Sequence, residues 1–253
     1  MKTILGVLFL LVSLNSASAQ LWLAVADPGA PLLGPQHALG AVVWAHGAQL
    51  DYDGSLSPSP PYLRTLRTGG WDTFRYNRRT GSDAFEDSSV GLVRQVANLK
   101  RRGYRRIVLA GQSFGGWLAV MVAGMSADVD AIVVTSPAAF GTYTPLNPAS
   151  WLRNATELYP LLQAVRRARV MIFYFAGDEL DPGGRGPLSR DILSILQVPN
   201  LVVDRPKLGV ATDHFTAGTT LFDRAYGKCI LRFISTPTLG QELGCEKGEF
   251  VSK

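Results

Sequence analysis

Residues 106–119 read Arg-Ile-Val-Leu-Ala-Gly-Gln-Ser-Phe-Gly-Gly-Trp-Leu-Ala, and no other stretch limits the fold of this chain so strongly. A short run of β-branched and apolar residues leads into Gly111-Gln112-Ser113-Phe114-Gly115, and an apolar segment, Trp117 to Met125, follows. A buried strand, a G-x-S-x-G turn and a buried helix in that order form a nucleophile elbow. The spacing has a steric reason. Ser113 must occupy a strained turn with its hydroxyl facing outward. The strand and the helix then approach closely, so the residues two before and two after the serine must lack bulk. Those residues are Gly111 and Gly115. The helix N-terminus directs free N–H groups at the same place, where a developing oxyanion can be held.

A serine hydroxyl is a weak nucleophile and needs a base, with a third group to orient that base. The chain has three histidines. His37 precedes the core, His46 ends an apolar run (Ala41 to Ala45) as His46-Gly47-Ala48, and His214 follows the last expected strand. The run Val170 to Ala176 ends in Gly177-Asp178-Glu179-Leu180-Asp181-Pro182, which supplies the acid.

These residues resemble the α/β-hydrolase superfamily, over about residues 38 to 234. The resemblance implies one α/β domain. Its mostly parallel central sheet has about six strands flanked by helices, with a small lid insertion at residues 137–169. It implies the chain order Ser113, acid, His214 for the triad. It makes the Phe114 and Ala48 N–H groups the oxyanion donors and His46 a structural residue. Leu180 stands where the family's acid usually falls. The following proline favours Asp181, and Asp178, nearer the strand tip, is the alternative. The implied activity is a serine hydrolase, esterase-like, acting on a carboxylic ester or related small acyl substrate without cofactor or metal. The alternative is a non-catalytic binding protein of the same fold at the cell envelope.

The remaining features set the context. The length of 253 residues and the 47% hydrophobic content suit one globular domain. Lys2, the apolar run Ile4 to Leu14 and Ala17-Ser18-Ala19 read as a signal peptide over residues 1–19. The mature chain, 20–253, is then expected in the periplasm or outside the cell. The apolar run is too short to span a bilayer, so no stable membrane insertion is expected after cleavage. An oxidising compartment pairs Cys229 with Cys245. The basic residues are scattered without interleaved aromatics, which argues against a nucleic-acid partner. Arg75, Arg78 and Arg79 fall at a strand end, either as an anion clamp or as a solvated cluster. The 34 residues from Ser136 to Arg169 hold a small lid, one crossover helix from Trp151 to Arg167, or both. They also contain Asn154-Ala155-Thr156, a glycosylation sequon. Gly183-Gly184-Arg185-Gly186 reads as a loop, with a helix only from Asp191 to Gln197.

Overall fold

The computed structural model describes residues 22–48, 54–78, 84–141, 148–181 and 183–236. Seven strands form one sheet: β1 (Trp22–Val25), β2 (Ala41–Ala45), β3 (Asp72–Asn77), β4 (Ile107–Gln112), β5 (Ala131–Thr135), β6 (Arg169–Tyr174) and β7 (Asn200–Asp204). Their spatial order is β1-β3-β2-β4-β5-β6-β7. All neighbours are parallel except β1, which runs antiparallel to β3 at the edge. The expectation of about six strands becomes seven because the short edge strand near the N-terminus is complete.

The continuous apolar runs are explained by burial on both faces. Along β2, Ala41, Val43 and Ala45 face one core while Val42 and Trp44 face the other. The first core is covered by α2 (Phe85–Arg101), α3 (Phe114–Met125), α5 (Leu158–Ala164) and α6 (Arg185–Ile195). The second is covered by α1 (Tyr62–Thr68), α7 (Thr220–Phe222) and α8 (Lys228–Ser235). One π-helical turn, Asp223–Gly227, joins the last two helices. Helix α3 is apolar nearly all round because it is enclosed by the sheet, α2 and α5.

Strand order reverses at β2. The chain moves outward from β2 to β3, then returns past β2 to β4. In an open α/β sheet the crevice at such a reversal, beyond the C-terminal strand ends, is where ligands bind. The turn after β2 and the elbow after β4 meet at this place.

Two local expectations need correction. The helix expected from Asp191 begins at Arg185. Pro187 is admitted because it falls in the first turn, where its missing N–H breaks no helical bond. Gly183 and Gly184, at φ of 80° and 72°, turn the chain into that helix. Gly183–Gly186 is therefore the entry to α6 and not a free loop. The single helix from Trp151 to Arg167 is two pieces, α4 (Pro148–Thr156) and α5, divided at Glu157. Leu158 and Leu162 of α5 pack into the core as a crossover helix must. Helix α4 borders the loop after β6, where Trp151 Nε1 donates to Glu179 O at 3.1 Å.

Candidate active site

Ser113 sits between β4 and α3 with φ 55° and ψ −123°, a conformation that strains a residue bearing a β-carbon. The turn is held from both sides. Ser113 N donates to Thr135 O at 3.1 Å, and Trp117 N donates to Ser113 O at 3.0 Å. A β-carbon on Gly111 would fall 2.3 Å from Gly115 O, and one on Gly115 would fall 2.0 Å from Ala45 O. Neither distance is possible for real atoms, so both glycines are required by close approach.

The turn after β2 lies against the elbow. A β-carbon on Gly47 would stand 3.2 Å from Ser113 Cβ. Arg78, with none of its surface exposed, fixes this turn: its Nη2 donates to His46 O at 2.5 Å and to Gly47 O at 3.4 Å. His46 Nε2 accepts from Arg78 N at 3.1 Å, so Nδ1 carries the proton and donates to Gly47 O at 2.7 Å. His46 is thus a neutral structural histidine with both nitrogens engaged.

Planarity then fixes two N–H directions. In a trans peptide the N–H points opposite to the preceding C=O. The Gly47 carbonyl is turned to Arg78 and His46, so the Ala48 N–H points away from them. The Ser113 carbonyl is turned into the helix, so the Phe114 N–H points out of its N-terminus. The Arg78 guanidinium lies over the Phe114 ring at 5.2 Å and touches both donor elements. Arg78 is therefore neither an open anion clamp nor a solvated charge. Arg75 is likewise tied down, over the Trp44 ring and donating to Ser55 O at 2.7 Å. Arg79 lies outside the described residues.

His214 is buried, and its Nδ1 donates to Asp178 Oδ1 at 2.8 Å. Asp178 Oδ1 also accepts from Leu180 N at 2.9 Å. Burial alone would raise the Asp178 pKa. The His214 hydrogen bond and charge, the Leu180 N–H and the Arg185 charge outweigh it and hold the carboxyl below its ordinary value. A β-carbon on Gly177 would lie 1.9 Å from Thr212 O, so this glycine lets the acid loop and the histidine loop meet. Gln112, the residue before Ser113, reaches across with Nε2 to His214 O at 3.0 Å. That bond seats the histidine loop on the elbow. No hydrogen bond joins Ser113 Oγ to His214 among the described residues. Such contacts are often long in free enzymes and tighten when substrate binds.

The preference for Asp181 as the partner of His214 is corrected by this geometry. Asp181 Oδ1 accepts from Arg185 Nε at 2.8 Å and from Gly183 N at 2.9 Å. Arg185 is fully buried, and its Nη1 donates to Pro137 O at 2.6 Å and Asn154 O at 3.0 Å. Asp181 answers a buried cation, which leaves Asp178 for the imidazole.

Three participants were not visible in the chain. Arg78 and Gln112 carry no motif of their own in these roles. Asn154 looked like a glycan acceptor, yet it is fully buried. Its Oδ1 accepts from Ala139 N and Phe140 N, and its Nδ2 donates to Phe140 O and Leu180 O at 3.1 Å. The sequon is closed in the folded protein, and its amide braces the acid loop instead.

Residues 42–230 match the Alpha/beta hydrolase family. No curated protein sequence matches the chain. Among solved structures it is similar to the acylaminoacyl peptidase of Pyrococcus horikoshii, with a TM-score of 0.58 and 13% identity over 82% of this chain. That match spans 39% of the peptidase, about two-fifths of its length. An esterase of Pyrococcus furiosus aligns with a TM-score of 0.56 and 13% identity, covering 78% of this chain and 80% of the esterase. Est1E of Butyrivibrio proteoclasticus aligns with a TM-score of 0.54 and 17% identity, covering 80% and 93%. At these identities the likeness concerns the fold.

Proposed function

Because the chain belongs to the alpha/beta hydrolase family, we propose that it is a serine hydrolase acting on a carboxylic ester or related acyl substrate through Ser113, His214 and Asp178. The observation that carries this reading is the 2.8 Å bond between Asp178 Oδ1 and His214 Nδ1. It sets the tautomer that leaves His214 Nε2 a free base, in a loop tied to the residue before Ser113. His214 takes the Ser113 proton as Oγ bonds to the acyl carbon, and the carbonyl electron pair moves onto oxygen. The N–H groups of Phe114 and Ala48 hold that oxyanion. When it collapses, the bond to the leaving alcohol breaks, and His214 returns the proton to that alcohol. Water, deprotonated by His214, then attacks the acyl-enzyme and releases the acid and Ser113.

The compartment belongs to the same reading. Residues 1–19 are a signal peptide, the mature chain works in the periplasm or outside the cell, and Cys229 pairs there with Cys245. Cys229 is buried on α8, and Cys245 and the signal segment lie outside the described residues. Helix α4, which borders the loop after β6, is read as the cover over the substrate, since α5 is occupied in the core.

A fluorophosphonate probe and an ester panel test the assignment. Wild-type protein is expected to label and to turn over esters. Ser113→Ala is expected to fold, fail to label and lose about 10⁴-fold or more in rate. An unlabelled, inactive wild type supports the binding-protein alternative.

A further inference from the structure

Arginines that lie scattered along the chain are gathered by the fold at the end of the sheet opposite Ser113. Each helix between parallel strands returns the chain to the N-terminal strand ends. The loops after α2, α3, α5 and α6 therefore share that end. Backbone bonds join them into one surface. Ala41 N donates to Arg106 O at 2.9 Å, and Asp130 N to Ile107 O at 2.8 Å. Arg169 N donates to Asp130 O at 3.0 Å, and Val170 N to Pro199 O at 2.9 Å. The length of β4 separates this surface from the elbow by about 20 Å.

Arg101, Arg102 and Arg105 stand exposed at the end of α2, and Arg166 and Arg167 stand exposed after α5. Among the described residues none of the five has an acidic partner. Arg106 and Arg169 donate to the carbonyls of Ile234, Ser235 and Thr236 at the end of α8, neutral partners that leave their charge uncancelled. The acids of this end are mostly spent. Asp130 pairs with Lys100 at 3.3 Å and Asp27 with Arg67 at 2.5 Å. Asp72 is buried and accepts from Tyr104 Oη at 2.6 Å. Asp128 remains exposed in the loop after α3. A field of one sign repels itself and draws anionic partners from solution.

Large aliphatic side chains stand among these charges. Leu33, Leu39, Met125 and Ile195 are 47%, 49%, 53% and 81% exposed. Met125 ends α3 and Ile195 ends α6. Leu33 N is bonded to Asp72 Oδ1 at 2.8 Å and Leu39 N to Gly70 O at 2.8 Å, which sets both at the start of β3. A single exposed leucine needs no explanation. Aliphatics set among uncancelled arginines match surfaces that lie on lipid headgroups.

We infer that this end of the molecule is a docking surface for an anionic lipid bilayer, with the arginines on the headgroup charges and the four aliphatic side chains at the boundary beneath them. The contact is peripheral, since no helix of the described residues is long and apolar enough to cross a membrane. It turns the elbow away from the bilayer, so substrate reaches Ser113 from the aqueous side. The inference does not depend on the hydrolase reading. A nucleic acid or other soluble polyanion would use the arginines and leave the aliphatics in water.

Co-sedimentation with vesicles tests it. The protein is expected to bind vesicles of phosphatidylglycerol mixed in equal parts with phosphatidylcholine, and to ignore pure phosphatidylcholine. Binding is expected to fall steeply as salt is raised. Arg166→Glu with Arg167→Glu is expected to weaken binding roughly 30-fold or more. Arg205→Glu with Lys207→Glu makes the same change in net charge beyond β7, at the opposite end, and is expected to change binding less than about 3-fold. Met125→Ser with Ile195→Ser is expected to weaken binding roughly 10-fold. Melts check that each variant is folded. If a pair does not fold, Arg101→Gln with Arg105→Gln reads the charge, and Ile195→Ser alone reads the aliphatic contact. Absence of binding to the anionic vesicles, or equal binding to phosphatidylcholine, overturns the surface. Equal losses from the two charge pairs overturn its location. Unchanged binding of the serine variant overturns the bilayer as partner in favour of a soluble polyanion. An active esterase that ignores the vesicles overturns this surface alone, and a protein inactive on esters that binds them overturns the hydrolase reading alone.

Discussion

Ser113 and Asp178 follow strands that lie two apart in one sheet, β4 and β6, yet they are held in place by different forces. The elbow is a steric construction. Gly111 and Gly115 admit backbone where no β-carbon fits, and the serine is forced into its strained turn. The acid loop is a polar construction. Asp178 and Asp181, three residues apart, are sorted between an imidazole and a buried guanidinium, and Asn154 braces the peptide between them. A steric construction tolerates no added volume and is indifferent to charge. A polar one tolerates equal volume and depends on every donor finding its acceptor.

The sharpest break of this contrast lies on the elbow. Gly115→Val would set its first side-chain atom 2.0 Å from the Ala45 carbonyl oxygen, with no flexible group to yield. Little or no soluble folded protein is expected, with a loss of roughly 4 kcal/mol or more in any that is recovered. Circular dichroism melts and soluble yield read the result. A variant that folds with an unchanged melting temperature shows that the strand and helix do not approach as described.

The same contrast explains what could be read from the chain. Gly111, Ser113 and Gly115 are adjacent in sequence, and their spacing is the geometry, so the elbow was legible residue by residue. The strands flanking it were legible because each is buried on both faces and reads as an apolar run. Asp178 against Asp181 could not be decided that way. The answer depends on Arg185 being buried, which depends on α6 starting at Arg185 and on carbonyls from Pro137 and Asn154 converging on it. Those contacts cross 31 and 48 residues of sequence. Arg78 was ambiguous for the same reason, since its partners His46 and Gly47 lie on another strand's exit.

Paired asparagine substitutions sharpen the polar half. Asp178→Asn keeps the size of the side chain but removes the charge that orients and stabilises protonated His214. A loss of about 10⁴-fold in kcat/KM is expected, by analogy with other triads. Asp181→Asn is expected to leave the chemistry and weaken the fold, because it removes the counter-charge of a fully buried arginine. Breaking such a pair by altering one member costs about 3–5 kcal/mol. Activity of Asp181→Asn measured well below its melting temperature is expected within about tenfold of wild type. The opposite ranking, with Asp181→Asn dead and stable, would falsify the assignment of Asp178 as the acid.

The smallest effect is a matter of pH and probes the surroundings of the Asp178 carboxyl, His214 foremost among them. The Asp178 carboxyl is held below its ordinary value, with burial opposed by the His214 bond and charge, the Leu180 N–H and Arg185. An acid whose folded pKa is depressed gives stability that is present above its unfolded value, about 3.9. That stability is lost as pH falls through the lower folded value. Melts of wild type and Asp178→Asn at pH 5 and pH 3 isolate the effect. Every other carboxyl titrates in both proteins and cancels in the difference. Wild type is expected to lose more stability than Asp178→Asn between the two pH values. Any offset from the amide itself does not vary with pH and drops out. A gap between the two melting temperatures that stays constant from pH 5 to pH 3 would mean that the Asp178 carboxyl gains nothing from its surroundings. The imidazole would then have to be oriented by some other group.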